Sequence, residues 1–122
     1  MVKACSQIVI VLVIEALALG SRAGVAPDRV VEVLSRDLAA NKVMEVKGEK
    51  LLADDFTPGG KVEYHHKVLG IVLAAGREYG ATLPVTALVD QMFRVLEAKR
   101  KGDWDHSALL TLVEERSGVR AT

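Results

Sequence analysis

Seven aliphatic residues run without interruption from Ile8 to Ile14, behind a lysine at position 3 and a polar pair, Ser6 and Gln7. A run this apolar has to leave water, as an inner strand, a membrane-directed segment or a helix enclosed by others. Its β-branched content suits a strand. The continuation Glu15-Ala16-Leu17-Ala18-Leu19 decides for one long helix, because these are mostly good helix formers and Gly24 supplies a stop. Lys3, the aliphatic run and Ala16-Leu17-Ala18 have the outline of a secretion signal. Glu15, however, separates the apolar stretch from the small residues, and the alanines continue the helical pattern. A bilayer span needs about 20 apolar residues, and Glu15 interrupts this one too early. A helix apolar nearly all round belongs at the centre of a bundle.

The rest of the chain reads as helices that could wrap such a centre. Pro27 opens a second helix, with Asp28 in its first turn and Val30, Val31 and Leu34 on one face. Asn41 to Leu52 carries Val43, Met44, Val46, Leu51 and Leu52 and reads as a third. DDFTPGG, residues 54–60, is a turn by composition, anchored in the core by Phe56. Lys61 to Tyr79 is amphipathic through Val62, Leu69, Val72, Leu73 and Gly76, and Gly80 ends it. Leu83-Pro84 starts a helix predicted to turn Val85, Leu88, Val89, Met92 and Leu96 inward, and Asp90, Gln91, Arg94 and Glu97 outward. Lys99-Arg100-Lys101 places cations at its carbonyl end. Asp105 or Ser107 caps a last helix that carries Leu109, Leu110, Leu112 and Val113 to Gly118. The expected fold is all-α, about six helices packed around the central apolar N-terminal one.

Composition narrows the chemistry. The 122 residues are of single-domain size, and half are hydrophobic, enough for a core without disulfide or metal. Sixteen basic residues balance sixteen acidic ones, so no electropositive surface is offered to nucleic acid or an anionic membrane. The lone Cys5 cannot form an internal disulfide and is expected to be a small buried hydrophobe in a reducing, cytoplasmic setting. Neither GxGxxG, GxxxxGK[ST] nor GxSxG occurs. Glu63-Tyr64-His65-His66 contains one E-x-x-H, but carboxylate-bridged di-metal bundles use that motif twice with two further glutamates, so no metal is expected. His65 and His66 then read as polar residues of a partly exposed helix. Two lysines stand out. Lys3 precedes the apolar wall of helix one, with Ser6 and Gln7 one turn along the same face, and Lys67 follows two histidines. A lysine is ordinarily a solvated surface residue, and spacing alone assigns neither a task.

The blocks VKACSQIVIVLVIEALALGSRAGVAPDRVVEVL, LLADDFTPG, HHKVLGIVLAAGREYGATLPVTALV and GDWDHSALL, in this order, resemble the C-terminal helical domain of the β-hydroxyacid dehydrogenases. The resemblance is greatest to 3-hydroxyisobutyrate dehydrogenases and 2-hydroxy-3-oxopropionate (tartronate semialdehyde) reductases, and it covers essentially the whole chain. It implies that Lys3 is the catalytic acid/base, that Ser6 and Gln7 hold substrate, and that Lys67 closes over a nicotinamide cofactor. Three positions depart from the family pattern. Ser6 replaces an asparagine, Gly60 the last phenylalanine of D-F-x-P-G-F, and Val68 the aspartate of H-x-K-D-L.

The chemistry suits a lysine. As hydride leaves the hydroxyl-bearing carbon, the oxygen loses a proton that a positioned group must take and later return. The dinucleotide phosphates need the glycine-rich turn of a Rossmann domain, which in the family precedes the interdomain helix and is absent from residues 1–122. The expectation is therefore a single C-terminal substrate and dimerisation domain, a homodimer. NAD or NADP would be used in the full-length enzyme with a small hydroxy acid, and no cofactor or turnover is expected of this chain alone. The rival expectation is a free-standing helical interaction module that has lost the activity, which the departures at Ser6, Gly60 and Val68 favour.

Overall fold

Helix α1, Val2–Arg22, is the axis of the molecule. The structure, a computed structural model, describes residues 2–120. The chain leaves α1 through a left-handed Gly24 (φ 84°), with the Val25 N–H donating to the Gly20 carbonyl at 2.8 Å. That geometry closes a helix C-terminus and strongly favours glycine. Helix α2, Pro27–Leu34, starts on its proline. Helix α3, Lys42–Leu52, is capped by Asn41, whose side chain accepts the Met44 N–H at 2.7 Å. Helix α4, Val62–Tyr79, ends on left-handed Gly80, and α5 spans Pro84–Ala98. A single 3₁₀ turn, His106–Ala108, capped by Asp105, leads into α6, Leu109–Ser117. Among the described residues these six α-helices and that turn are joined by one isolated bridge, Lys61 to Asp105, and no strand.

Helix α1 packs against every one of α2 to α6. Ile10, Ile14 and Leu17 are sealed from solvent among Leu51 of α3, Leu69 of α4, Phe93 and Leu96 of α5, and Leu109, Leu110 and Leu112 of α6. By length and composition α1 could cross a membrane. Here eight of its residues are buried within the bundle, which accounts for most of the aliphatic run.

Two expectations need correction. Cys5 is exposed rather than buried. It shares a stripe with Leu12 and Leu19, seven and fourteen positions on, and these leucines are 61% and 73% exposed. Residues seven apart lie on one side of a helix, and the other helices leave this side of α1 open. In α5 the inward face is turned by about one residue, roughly 100°. Thr86, Val89, Asp90, Phe93 and Leu96 are buried, while Val85 and Leu88 face solvent. Phe93, the largest fully buried side chain, sets that orientation together with Asp90. Asp90 can go inward because His66 of α4 meets it, Nε2 to Oδ1 at 3.1 Å, while His66 Nδ1 bonds Glu97 at 2.8 Å. A buried carboxylate with a hydrogen-bonded partner is tolerated where an isolated one is not.

Candidate active site

The polar cluster grows from two loops stitched together. Asp105, with no solvent exposure, accepts the Gly59 and Gly60 N–H groups at 2.9 and 3.0 Å. It also takes the Lys47 ammonium at 3.0 Å and the Ser107 hydroxyl at 2.5 Å. Burial alone would raise the Asp105 pKa, but these donors outweigh it and hold the carboxyl well below the usual range. The Asp105 N–H donates to the Phe56 carbonyl and the His106 N–H to that of Gly60, at 2.9 and 2.8 Å. Phe56 is partly buried and stacks on Trp104, ring centroids 5.8 Å apart, so the DDFTPGG turn is anchored as expected.

This stitching brings His106 against His65 of α4, with ring centroids 4.4 Å apart. His65 in turn meets α1: its Nδ1 lies 2.8 Å from Gln7 Nε2. Gln7 is buried at 1% exposure, and its Oε1 has no protein partner; nor has Nδ1 of His106. Burial pushes the His106 pKa down to about 4. The His65 pKa is also lowered, first by burial and then by the nearby Lys3 ammonium. Both rings are therefore neutral near pH 7, and an Nδ1 that accepts from Gln7 leaves the His65 proton on Nε2. The room for that ring comes from Gly60, where a Cβ would stand 2.4 Å from His65 Nε2.

The sequence-predicted residues divide accordingly. Lys3 and Gln7 lie one turn apart on α1; Gln7 contacts His65, and the Lys3 charge is felt there. Ser6 turns its hydroxyl to its own helix, donating to the Val2 carbonyl at 3.0 Å. Lys67 is exposed on α4, two positions and about 200° around the axis from His65, and is not drawn into the Gln7 contact. Sequence reasoning missed His65, His106 and Asp105 as members of the cluster. The signals were present in the blocks HHKVL and GDWDHSALL, but only the fold brings α1, α4 and the turn before α6 together. Among the described residues no group of three or more His, Cys, Asp or Glu is arranged to hold a metal ion.

The family model described as the NAD-binding domain of NADP-dependent 3-hydroxyisobutyrate dehydrogenase matches residues 1–113. The chain belongs to this family. It is 34% identical over 116 residues to 2-hydroxy-3-oxopropionate reductase of Escherichia coli, covering 92% of the chain and 40% of the reductase. It is 36% identical over 106 residues to 2-(hydroxymethyl)glutarate dehydrogenase of Eubacterium barkeri, covering 86% of the chain and 35% of that protein. The fold is shared with the crystal structure of a 3-hydroxyisobutyrate dehydrogenase from Salmonella typhimurium. There the TM-score is 0.84 at 24% identity, over 90% of this chain and 39% of that one. The chain thus spans well under half the length of these 3-hydroxyisobutyrate dehydrogenase family members.

Proposed function

We propose that these helices are the substrate-side domain of an NAD(P)-dependent β-hydroxyacid dehydrogenase, with Lys3 as the proton-transfer group. The observation that carries the reading is the polar end of α1: Lys3 and Gln7, one turn apart, are the exposed and buried members of a cluster that otherwise adjoins aliphatic core. Bound nicotinamide supplies the hydride acceptor. The residues present offer the cofactor Lys67 and no glycine-rich turn, so its phosphates belong to a nucleotide-binding domain joined to α1. Lys3 takes the hydroxyl proton as hydride departs and returns it in the reductive direction, and Gln7 orients the substrate beside it. Lys3 is exposed in this chain, and docking of the nucleotide-binding domain over the end of α1 would exclude water from it.

In the enzyme carrying both domains, Lys3→Ala is expected to lower turnover by at least about a hundredfold, the general acid/base scale. Lys3→Arg keeps the charge but cannot give up its proton, and it should fail as severely. Retained activity in either variant would remove Lys3 from the chemistry. A second reading, an interaction module without catalysis, draws on Ser6, whose hydroxyl is spent on its own helix instead of being held out to a substrate. A two-domain protein that folds, binds nicotinamide nucleotide and oxidises no hydroxy acid would favour it.

A further inference from the structure

Gln7 is the most deeply buried polar side chain of α1, and half of its amide is unused. Nε2 meets His65 Nδ1 at 2.8 Å, while Oε1 is enclosed without a protein partner. Leaving a buried carbonyl oxygen unpaired costs about 1–3 kcal/mol, so something on the other side of the amide must outweigh that cost. His65 is itself held in place from two directions. The His106 ring lies against it at 4.4 Å, and the missing side chain of Gly60 leaves the space that its Nε2 edge occupies. Any Cβ at position 60 would stand 2.4 Å from that nitrogen and drive the ring out.

We propose that His65 is a positioning residue for Gln7: lodged in the space left by Gly60, its imidazole accepts an amide proton and so leaves the Gln7 carbonyl oxygen as the unpaired end of the amide, enclosed in this chain and reachable by a substrate only when the end of α1 opens to it. Gln7 then presents an acceptor, suited to a substrate hydroxyl, and not a donor suited to a carboxylate. The role in substrate binding rests on the function proposed above; the pairing itself does not. Burial first, and then the groups around His65, set its protonation: Lys3 from α1 and Lys47 from α3 disfavour the charged ring, Asp105 favours it, and the His106 ring lies against it. When Nδ1 gains a proton it can no longer accept, so the amide must rotate to offer Oε1 to it. The site then changes from acceptor to donor.

Side-chain NMR of the isotopically labelled chain tests the pairing. One Gln7 amide proton is expected to be shifted downfield and to exchange with water at least about tenfold more slowly than a free glutamine amide. His65 should show the Nε2–H form at pH 7. His65→Phe should abolish the Gln7 signature while the backbone spectrum persists. His65→Asn, whose carbonyl oxygen falls near the Nδ1 position, should restore it, and Gly60→Ala should weaken it by displacing the ring. A Gln7 signature indifferent to His65→Phe in a folded chain, or a wild-type His65 protonated on Nδ1, overturns the proposal without needing any variant to be active. In the two-domain enzyme, His65→Phe should raise KM for the hydroxy acid more than it lowers kcat, with recovery in His65→Asn. An intact pairing with an unmoved KM would overturn its role toward substrate, whereas activity that survives Lys3→Ala would count against the proposed function and leave the pairing standing.

Discussion

His106 is 5% exposed, and its Nδ1 has no protein partner, so protonating it inside the fold costs desolvation that the neighbouring Asp105 carboxylate only partly offsets. Its pKa falls from the ordinary 6.5 to about 4, with burial the principal cause. The unfolded chain therefore binds more protons between those values. The stability that His106 contributes is complete above about pH 6.5 and is lost as pH drops toward 4. Urea unfolding at pH 7 and pH 5 should differ by on the order of 2 kcal/mol from this group. His106→Phe, which keeps the backbone bond to Gly60 and a ring against His65, should flatten that difference. Asp105 acts in the same direction at lower pH: its lowered pKa makes its contribution fully present above the ordinary carboxylate range, to be lost only in stronger acid. Asp105→Asn at pH 7 leaves Lys47, 12% exposed at its side chain, facing a neutral amide. It should cost about 3 kcal/mol, the scale for breaking a buried ion pair, and should loosen residues 54–60 first, as read by hydrogen exchange at Gly59 and Gly60.

At the scale of elements, most of the fold was legible because each helix carries its own punctuation. Gly24, Gly80 and Gly118 are left-handed at the ends where stops were expected, and Pro27, Asn41 and Pro84 stand at the starts. What could not be read was how far each helix turns about its axis. In α5 the apolar face Val85, Leu88, Val89, Met92 and Leu96 is nearly as good a pattern as the true one, and the choice falls to a long-range partner, His66, that makes Asp90 acceptable inside. Within the polar cluster, the pair on one helix, Lys3 and Gln7, was singled out through the family resemblance, whereas the part assembled from α1, α4 and the loop at Asp105 could not be read. The same limit hid the open side of α1. Cys5, Leu12 and Leu19 form one exposed line, and beside it Leu12, Ala16, Leu34 and the fully exposed Leu38 border a groove of about 310 Å³. An apolar surface of this kind is ordinarily covered by a partner, and a second copy of the chain is the proposed cover. Sedimentation at tens of micromolar, on the order of ordinary assay concentrations, should show a dimer. Leu12→Lys should return it to monomer without unfolding it, because position 12 is already solvent-facing. A monomeric wild-type chain would remove the self-association.

At the scale of the molecule, the proposed function makes the bundle one wall of a reaction site. The six helices bury an aliphatic axis, and one of their buried polar clusters, Gln7, His65, His106 and Asp105, lies beside the N-terminal turns of that axis. Proton transfer can be built there, but hydride transfer needs a second reactant held in line with the first, and holding it is worth several kcal/mol of barrier. The chain covers 40% of the length of the E. coli reductase, and its 122 residues contain no glycine-rich turn to take the cofactor phosphates. Purified residues 1–122 are therefore expected to unfold cooperatively, since the core is continuous through α1, yet to show no nicotinamide-dependent oxidation of hydroxy acids. Calorimetry with and without NAD or NADP should give nearly the same midpoint, because a dinucleotide offered Lys67 but no phosphate-binding turn binds too weakly to stabilise the fold by mass action. Absorbance assays with small hydroxy acids should stay at the background rate. Joining a nucleotide-binding domain ahead of α1 should restore both the cofactor-dependent shift in midpoint and a turnover that Lys3→Ala abolishes. Robust turnover by the 122 residues alone would show that these helices hold the dinucleotide themselves, and would require a cofactor site that owes nothing to the glycine-rich fold.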